Sequence, residues 1–157
     1  MKLMGIKSDS VMDGFGVRSV VFTSGCPHFC RGCQNPKSWN IDNGSDYSID
    51  EIVELLEYAG HKRVTLSGGD PFYQSREMSE LVDQLKELGY DIWVYTGYTL
   101  DELRNMHRED VDNVLDKIDA LVDGRFVLEE YEVDLEFRGS KNQIVYVRKD
   151  DELVRYI

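Results

Sequence analysis

The chain has no long apolar run. Nowhere among its 157 residues does a stretch approach the roughly 18–20 apolar residues that span a bilayer, and the opening MKLMGIKSDSVMDG has no apolar core of a secretory signal. Neither a membrane protein nor an exported one is expected, and a cytoplasmic location is. Positive charge is scarce as well: 18 Lys and Arg stand against 30 Asp and Glu, for a net charge of -12. A general nucleic-acid binder would carry a basic footprint instead, so no nucleic-acid partner is expected. Most of the excess falls in residues 101–136, with 13 acids against 4 bases, and reads as a solvated acidic face. Internal repeats, low-complexity tracts and Pro/Gly/Ser-rich linkers are all missing, which leaves a single domain over 1–157. With 41% hydrophobic and 31% charged residues it has the composition of an ordinary soluble protein.

Cysteine is the rarity that informs most. There are 3, an odd number, and all lie in GCPHFCRGC as Cys26, Cys30 and Cys33, with Arg18, Arg31 and Lys37 flanking the loop. A localised triplet of this kind binds metal more often than it forms disulfides. Three thiolates from one loop leave a tetrahedral site or a cubane cluster one protein ligand short, and an open metal position is where substrate chemistry takes place. A structural zinc would need His28, His61 or His107 as its fourth ligand. His28 lies between ligands, a poor position for closing the same metal, and reads as a solvent-facing or supporting group. An iron-sulfur cluster with one free iron fits the thiolates better.

Periodicity gives alternating strands and helices. Strands are expected at Val17–Thr23, Arg63–Leu66, Ile92–Tyr95 and Ala120–Val122, with a last one at Gln143–Val147. Ser48-x-x-Glu51 and Thr99-x-x-Glu102 have capping-box form, Ser75 is placed to cap the helix carrying Met78, Leu81, Val82 and Leu85, and Val111, Val114, Leu115 and Ile118 mark a further helical face. Residues 124–141 give no clear pattern. Strands separated by helical stretches indicate βαβ units and a parallel sheet, open or partly closed into a barrel. The first four strands run into SGC at 24–26, SGGDP at 67–71, TGY at 96–98 and DGR at 123–125. All are C-terminal strand ends, where ligands collect in parallel α/β folds, so the four loops should line one site with the cysteines.

CPHFCRGC together with the SGGDP loop resembles the radical S-adenosylmethionine enzymes. DGFG at 13–16, SGCPHFCRGCQNPKSW at 24–39, LSGGDP at 66–71, VYTGY at 94–98, LVDGRF at 121–126 and FRGSKNQ at 137–143 narrow the likeness to the activating proteins of anaerobic ribonucleoside-triphosphate reductase. The resemblance implies a truncated, partial parallel β/α barrel and a [4Fe-4S] cluster held by Cys26, Cys30 and Cys33, with S-adenosylmethionine on the fourth iron. It also implies that Gly32, Cys33 and Gln34 lie beside that cofactor, that Gly68, Gly69 and Asp70 meet its amino group, and that Thr96 faces it. Asp123 and Arg125 would stand near its carboxylate, the alternative being a surface turn with an ordinary salt bridge. The position before the last cysteine is Gly32 rather than an aromatic residue, which leaves Phe29 and Trp39 as candidates for adenine packing. DGFG either joins an N-terminal element to the first strand or borders the mouth that admits the partner. The implied partners are the large subunit of the reductase, on which a glycyl radical would form, and an external one-electron donor, flavodoxin being the family expectation. Another small radical S-adenosylmethionine enzyme, acting on a small molecule, is the competing reading.

Overall fold

The structure, a computed structural model, describes residues 1–157. Its elements in chain order are β1 (Lys2–Ser10), β2 (Arg18–Thr23), β3 (Ser45–Asp46), α1 (Ile49–Ala59), β4 (Arg63–Gly68), α2 (Ser75–Glu87), β5 (Asp91–Tyr95), α3 (Leu100–Arg104), α4 (Glu109–Lys117), β6 (Ala120–Asp123), β7 (Ile144–Lys149) and β8 (Glu152–Arg155). One sheet of 8 strands holds them in the order β3-β1-β2-β4-β5-β6-β7-β8. The expected parallel sheet is its centre: β2, β4, β5 and β6 run parallel, while β1 and β3 on one side and β7 and β8 on the other pair antiparallel. The fold is therefore mixed α/β. No helix is long and apolar enough to cross a membrane.

Strand pairing sorts the side chains by the two-residue period of a pleated sheet. Val21, Leu66, Val94 and Leu121 lie side by side across the four parallel strands. They join Ile52, Leu56, Leu81, Leu85, Leu103 and Val114 from the helices in one core cluster. Each such side chain contributes about 1.5–3 kcal/mol by leaving water. The neighbouring row, Val20, Thr65, Trp93 and Ala120, faces the other way. There Trp93, Ala120, Val122 and Val145 form a separate small cluster that no helix enters.

The helix starts follow the sequence closely. Ser48 with Glu51 and Thr99 with Glu102 both form complete capping boxes. Ser75 does not cap α2; it is that helix's first residue, and its hydroxyl donates to Asp110 at 2.6 Å, tying α2 to the start of α4. Arg18 departs further from expectation. It does not flank the cysteine loop but lies fully buried at the far end of β2. Its guanidinium donates to Asp91 Oδ1 at 2.8 Å, the Phe15 carbonyl at 2.8 Å and Thr65 Oγ1 at 2.8 Å, and lies 5.2 Å from the centre of the Trp93 ring. Thr65 in turn donates to the Asp13 carbonyl at 2.6 Å. The DGFG turn is thus pinned across the helix-free face, with Phe15 packed edge-on against Trp93 and Phe137. These groups close the floor beneath the strand ends.

Candidate functional site

Above that floor, at the C-terminal ends of the parallel strands, is a cleft of about 340 Å³. All four strand-end loops reach it: Cys26, Cys30, Cys33 and Gln34 after β2, Gly68 and Gly69 at the end of β4, Thr96 and Gly97 after β5, and Gly124 and Phe126 after β6. Asp13, Phe22, Ser67 and Tyr95 form its inner wall, His28, Asn35 and Trp39 its cysteine side, and Gly139 and Gln143 the side facing β7.

The cysteine loop is held by backbone bonds to its neighbours. Gly25 N donates to the Ser38 carbonyl at 2.7 Å, Cys26 N to Trp39 at 3.1 Å, and Cys33 N to Cys30 at 3.1 Å, while Ser24 Oγ donates to Ile41 at 2.6 Å. Asn35 N lies 3.4 Å from the sulfur of Cys33. The two glycines of SGGDP work mainly against this loop. A Cβ on Gly68 would come within 2.3 Å of Thr23 N, and one on Gly69 within 2.3 Å of the Gly25 carbonyl oxygen. Gly69 N donates to Thr23 O and Asp70 N to Gly25 O, each at 2.8 Å. The absence of side chains thus lets two strand-end loops fuse, besides leaving the cleft wall open.

The three cysteines are free and half-buried. Burial pushes the Cys26 thiol up to about 11, so without a metal it is neutral. Burial raises the Tyr95 hydroxyl as well, with the Asp13 carboxylate adding to the effect.

A family described as a 4Fe-4S single cluster domain matches residues 12–146. The anaerobic ribonucleoside-triphosphate reductase-activating protein of Haemophilus influenzae is 40% identical over 145 residues, covering 87% of this chain and 91% of its own. The chain belongs to this activating-protein family. The Escherichia coli K12 protein of the same name is 38% identical over 145 residues, with 87% and 92% covered, and that of Enterobacteria phage T4 is 34% identical over 150 residues, with 88% and 89% covered. Among solved structures, Escherichia coli QueE matches with a TM-score of 0.54 at 17% identity, over 62% of this chain and 52% of its own, a likeness of fold.

The activating-protein family's 4Fe-4S cluster fits the donors present. Three thiols open on one cleft. Thiolates are the ligands of iron-sulfur clusters, and three on one cleft leave one iron without a protein ligand. None of the three histidines is placed to complete a zinc site. His28 is bonded to Asp70 at 2.6 Å, His61 to Asp9 at 2.6 Å, and His107 is exposed.

Of the residues expected beside the cofactor, Cys33, Gln34, Gly68, Gly69 and Thr96 line the cleft. Gly32, Asp70, Asp123 and Arg125 do not. Gly32 has a φ of 79° and packs against Leu128 of the turn at Leu128–Glu130. Asp123 is buried and accepts the Leu100 N–H at 2.6 Å, anchoring the start of α3; burial raises its carboxyl. Arg125 is paired with Glu102 at 3.0 Å. Asp70 is fully buried, its carboxylate taken up by Thr96 at 2.8 Å, Gly97 N at 2.9 Å, Phe72 N at 3.0 Å and His28.

Of the two roles read for His28, the structure shows the supporting one, with only 4% of its side chain exposed. One contributor escaped the sequence reading. The Gln143 side chain joins the β6 and β7 sides of the cleft. Its position in the RGSKNQ block was the only signal for it. For the adenine-packing candidates, Phe29 and Trp39 meet edge to face at 5.3 Å, with Trp39 on the cleft and Phe29 largely exposed.

Proposed function

We propose that this chain activates an anaerobic ribonucleoside-triphosphate reductase through a [4Fe-4S] cluster on Cys26, Cys30 and Cys33, at which one-electron reductive cleavage of S-adenosylmethionine yields methionine and a 5'-deoxyadenosyl radical that takes a hydrogen atom from a glycine Cα of the reductase large subunit. Family membership supports the activating role. The observation that carries the chemistry is the set of three free thiols on one cleft, with no further cysteine and no unengaged histidine beside them. That set leaves one metal position for a substrate.

The chain's own residues bind, orient and exclude water. Gln34, Gly68, Gly69 and Thr96 face the cofactor space, and the glycine loop lets the main chain approach an ammonium group closely. Gly32, Asp70, Asp123 and Arg125 hold the walls. Phe22, Trp39, Tyr95 and Phe126 supply apolar surface that keeps water from a reactive radical. The cleft volume of about 340 Å³ is at the small end of ligand sites, which run roughly 300–1,000 Å³. It suits one cofactor, with the second reactant presented at the mouth, as a protein glycine would be. A glycine lacks the Cβ that would block approach to its Cα.

The helix-free cleft face of an open sheet reads as a partial β/α barrel, and the unbroken sheet from β3 to β8 supports one domain over 1–157. Free thiols suit a reducing cytoplasmic setting, where a flavodoxin is the electron donor we infer. The test is anaerobic incubation of the iron-loaded chain with reductant, S-adenosylmethionine and the purified reductase, followed by electron paramagnetic resonance. A glycyl doublet on the reductase is expected. Cofactor turnover without that doublet would favour a small-molecule substrate.

A further inference from the structure

We propose that Asp70 and His28 form a positioning pair for the cysteine loop: the carboxylate fixes the imidazole, and the anchored ring fixes the segment that carries Cys26 and Cys30. The inference rests on the functional reading above.

Between Cys26 and Cys30 lie Pro27, His28 and Phe29, of which Pro27 and Phe29 point outward and are exposed. His28 is the one side chain of the three that enters the protein. Its ring meets Tyr98 edge to face at 4.5 Å and covers Gly97 so closely that a Cβ there would come within 2.3 Å of the ring's Cδ2. Asp70 receives it at Nε2, 2.6 Å from Oδ2. The same carboxylate accepts from Gly97 N at 2.9 Å, Thr96 Oγ1 at 2.8 Å and Phe72 N at 3.0 Å. Surrounded by four donors, an acceptor-only carboxylate requires the proton on Nε2 of the imidazole. It ties together the loops after β2, β4 and β5.

The tie continues to the metal ligands through the chain itself, because His28 stands between Cys26 and Cys30 in the loop. Groups that orient ligands control metal retention, and a cluster's reduction potential follows the surroundings its ligands are held in. With the ring unanchored, Cys26 and Cys30 would lose their fixed direction. Gly97 has its own part in the device, since any side chain there displaces the ring.

The test uses the full chain loaded with iron and sulfide under anaerobic conditions, without the reductase. Two readouts are needed: the midpoint potential of the cluster, and the rate at which a chelator strips its iron. His28→Ala and Gly97→Ala should shift the potential and speed iron loss roughly 10-fold or more. Asp70→Asn should do the same, its carboxamide placing a donor against the ring N–H. His28→Gln keeps an N–H within reach of Asp70 and should restore both values toward those of the unaltered chain. Should His28→Ala not fold, Gly97→Ala and His28→Gln decide the matter. Unchanged potential and iron loss in the alanine variants, or His28→Gln behaving like His28→Ala, would overturn the proposal. So would Asp70→Asn weakening S-adenosylmethionine binding at an unchanged potential, which would make Asp70 a cofactor contact. Failure of the unaltered chain to assemble a cluster would instead strike the functional reading.

Discussion

Gln143 donates its side-chain N–H to the Gly124 carbonyl at 2.9 Å and so joins the start of β7 to the loop after β6. Its Oε1 accepts from Gly139 N at 2.8 Å and Ser140 N at 3.1 Å. One carboxamide therefore satisfies three backbone groups beside the cleft. Gln143→Ala leaves them unpartnered, at a cost of about 1–3 kcal/mol. Thermal melting should register a fall of roughly 2–4 °C per kcal/mol for a chain of this size. A melting temperature equal to that of the unaltered chain would mean that water replaces the carboxamide without loss.

The RGSKNQ block was legible as a motif, and its role was not, because the bonds join residues near position 140 to carbonyls near 124. The same limit explains what else the sequence withheld. The four parallel strands and two capping boxes announce themselves through local apolar runs and fixed spacings. By contrast, β1 carries Gly5 and three charges, is interrupted by two register shifts, and buries only Leu3 and Ser10, so no two-residue alternation marks it. β8 has 4 residues at a sheet edge. At the site, the cysteine triplet and glycine loop were evident from residue type. The direction of the Asp70 carboxylate was not, since it depends on partners 26 and 42 residues away.

Asp123 makes stability depend on pH in a defined direction. Burial raises its carboxyl above the ordinary aspartate value, against the pull of backbone N–H groups of Leu100 and Ile144. Between the ordinary and the raised value the folded chain binds more protons than the unfolded chain, so this group's contribution falls as pH rises. Asp123→Asn cannot titrate. The stability of the unaltered chain minus that of the variant should decline through that window and then level off. Melting from about pH 4 to about pH 7 tests it. A difference constant over the range would remove Asp123 as the cause.

The Arg125–Glu102 pair behaves in the opposite sense. Arg125 first, then the Thr99 backbone, holds the Glu102 carboxyl below the usual range. Its stabilisation is present above the ordinary glutamate value and is lost as pH falls through the folded one. Both side chains are nearly half exposed, at 45% and 43%, so Arg125→Gln should cost less than about 1 kcal/mol. Denaturant titration should show that cost at neutral pH and low salt, shrinking in acid or at high ionic strength. A larger, salt-independent cost would mean that the guanidinium stabilises the loop by packing.

Gly69 offers the sharpest test of how the cysteine loop is held. A methyl group there would lie 2.3 Å from the Gly25 carbonyl oxygen and 2.9 Å from that of Ser38. Both are backbone atoms and cannot swing aside as a side-chain tip would. Gly69→Ala must therefore part the loops after β2 and β4, stretching the 2.8 Å bond from Asp70 N to Gly25 O and carrying Cys26 with it. Overpacking of this kind costs about 1–3 kcal/mol, within the 5–15 kcal/mol by which domains are usually stable, so the variant should still fold. It should hold markedly less iron after anaerobic loading. Gly89→Ala is the control: its φ of 81° makes alanine unfavourable, yet nothing lies within 4 Å of the new methyl, so stability should fall by about 1 kcal/mol with iron content intact. Full iron loading of Gly69→Ala would show that the two loops can separate without moving Cys26.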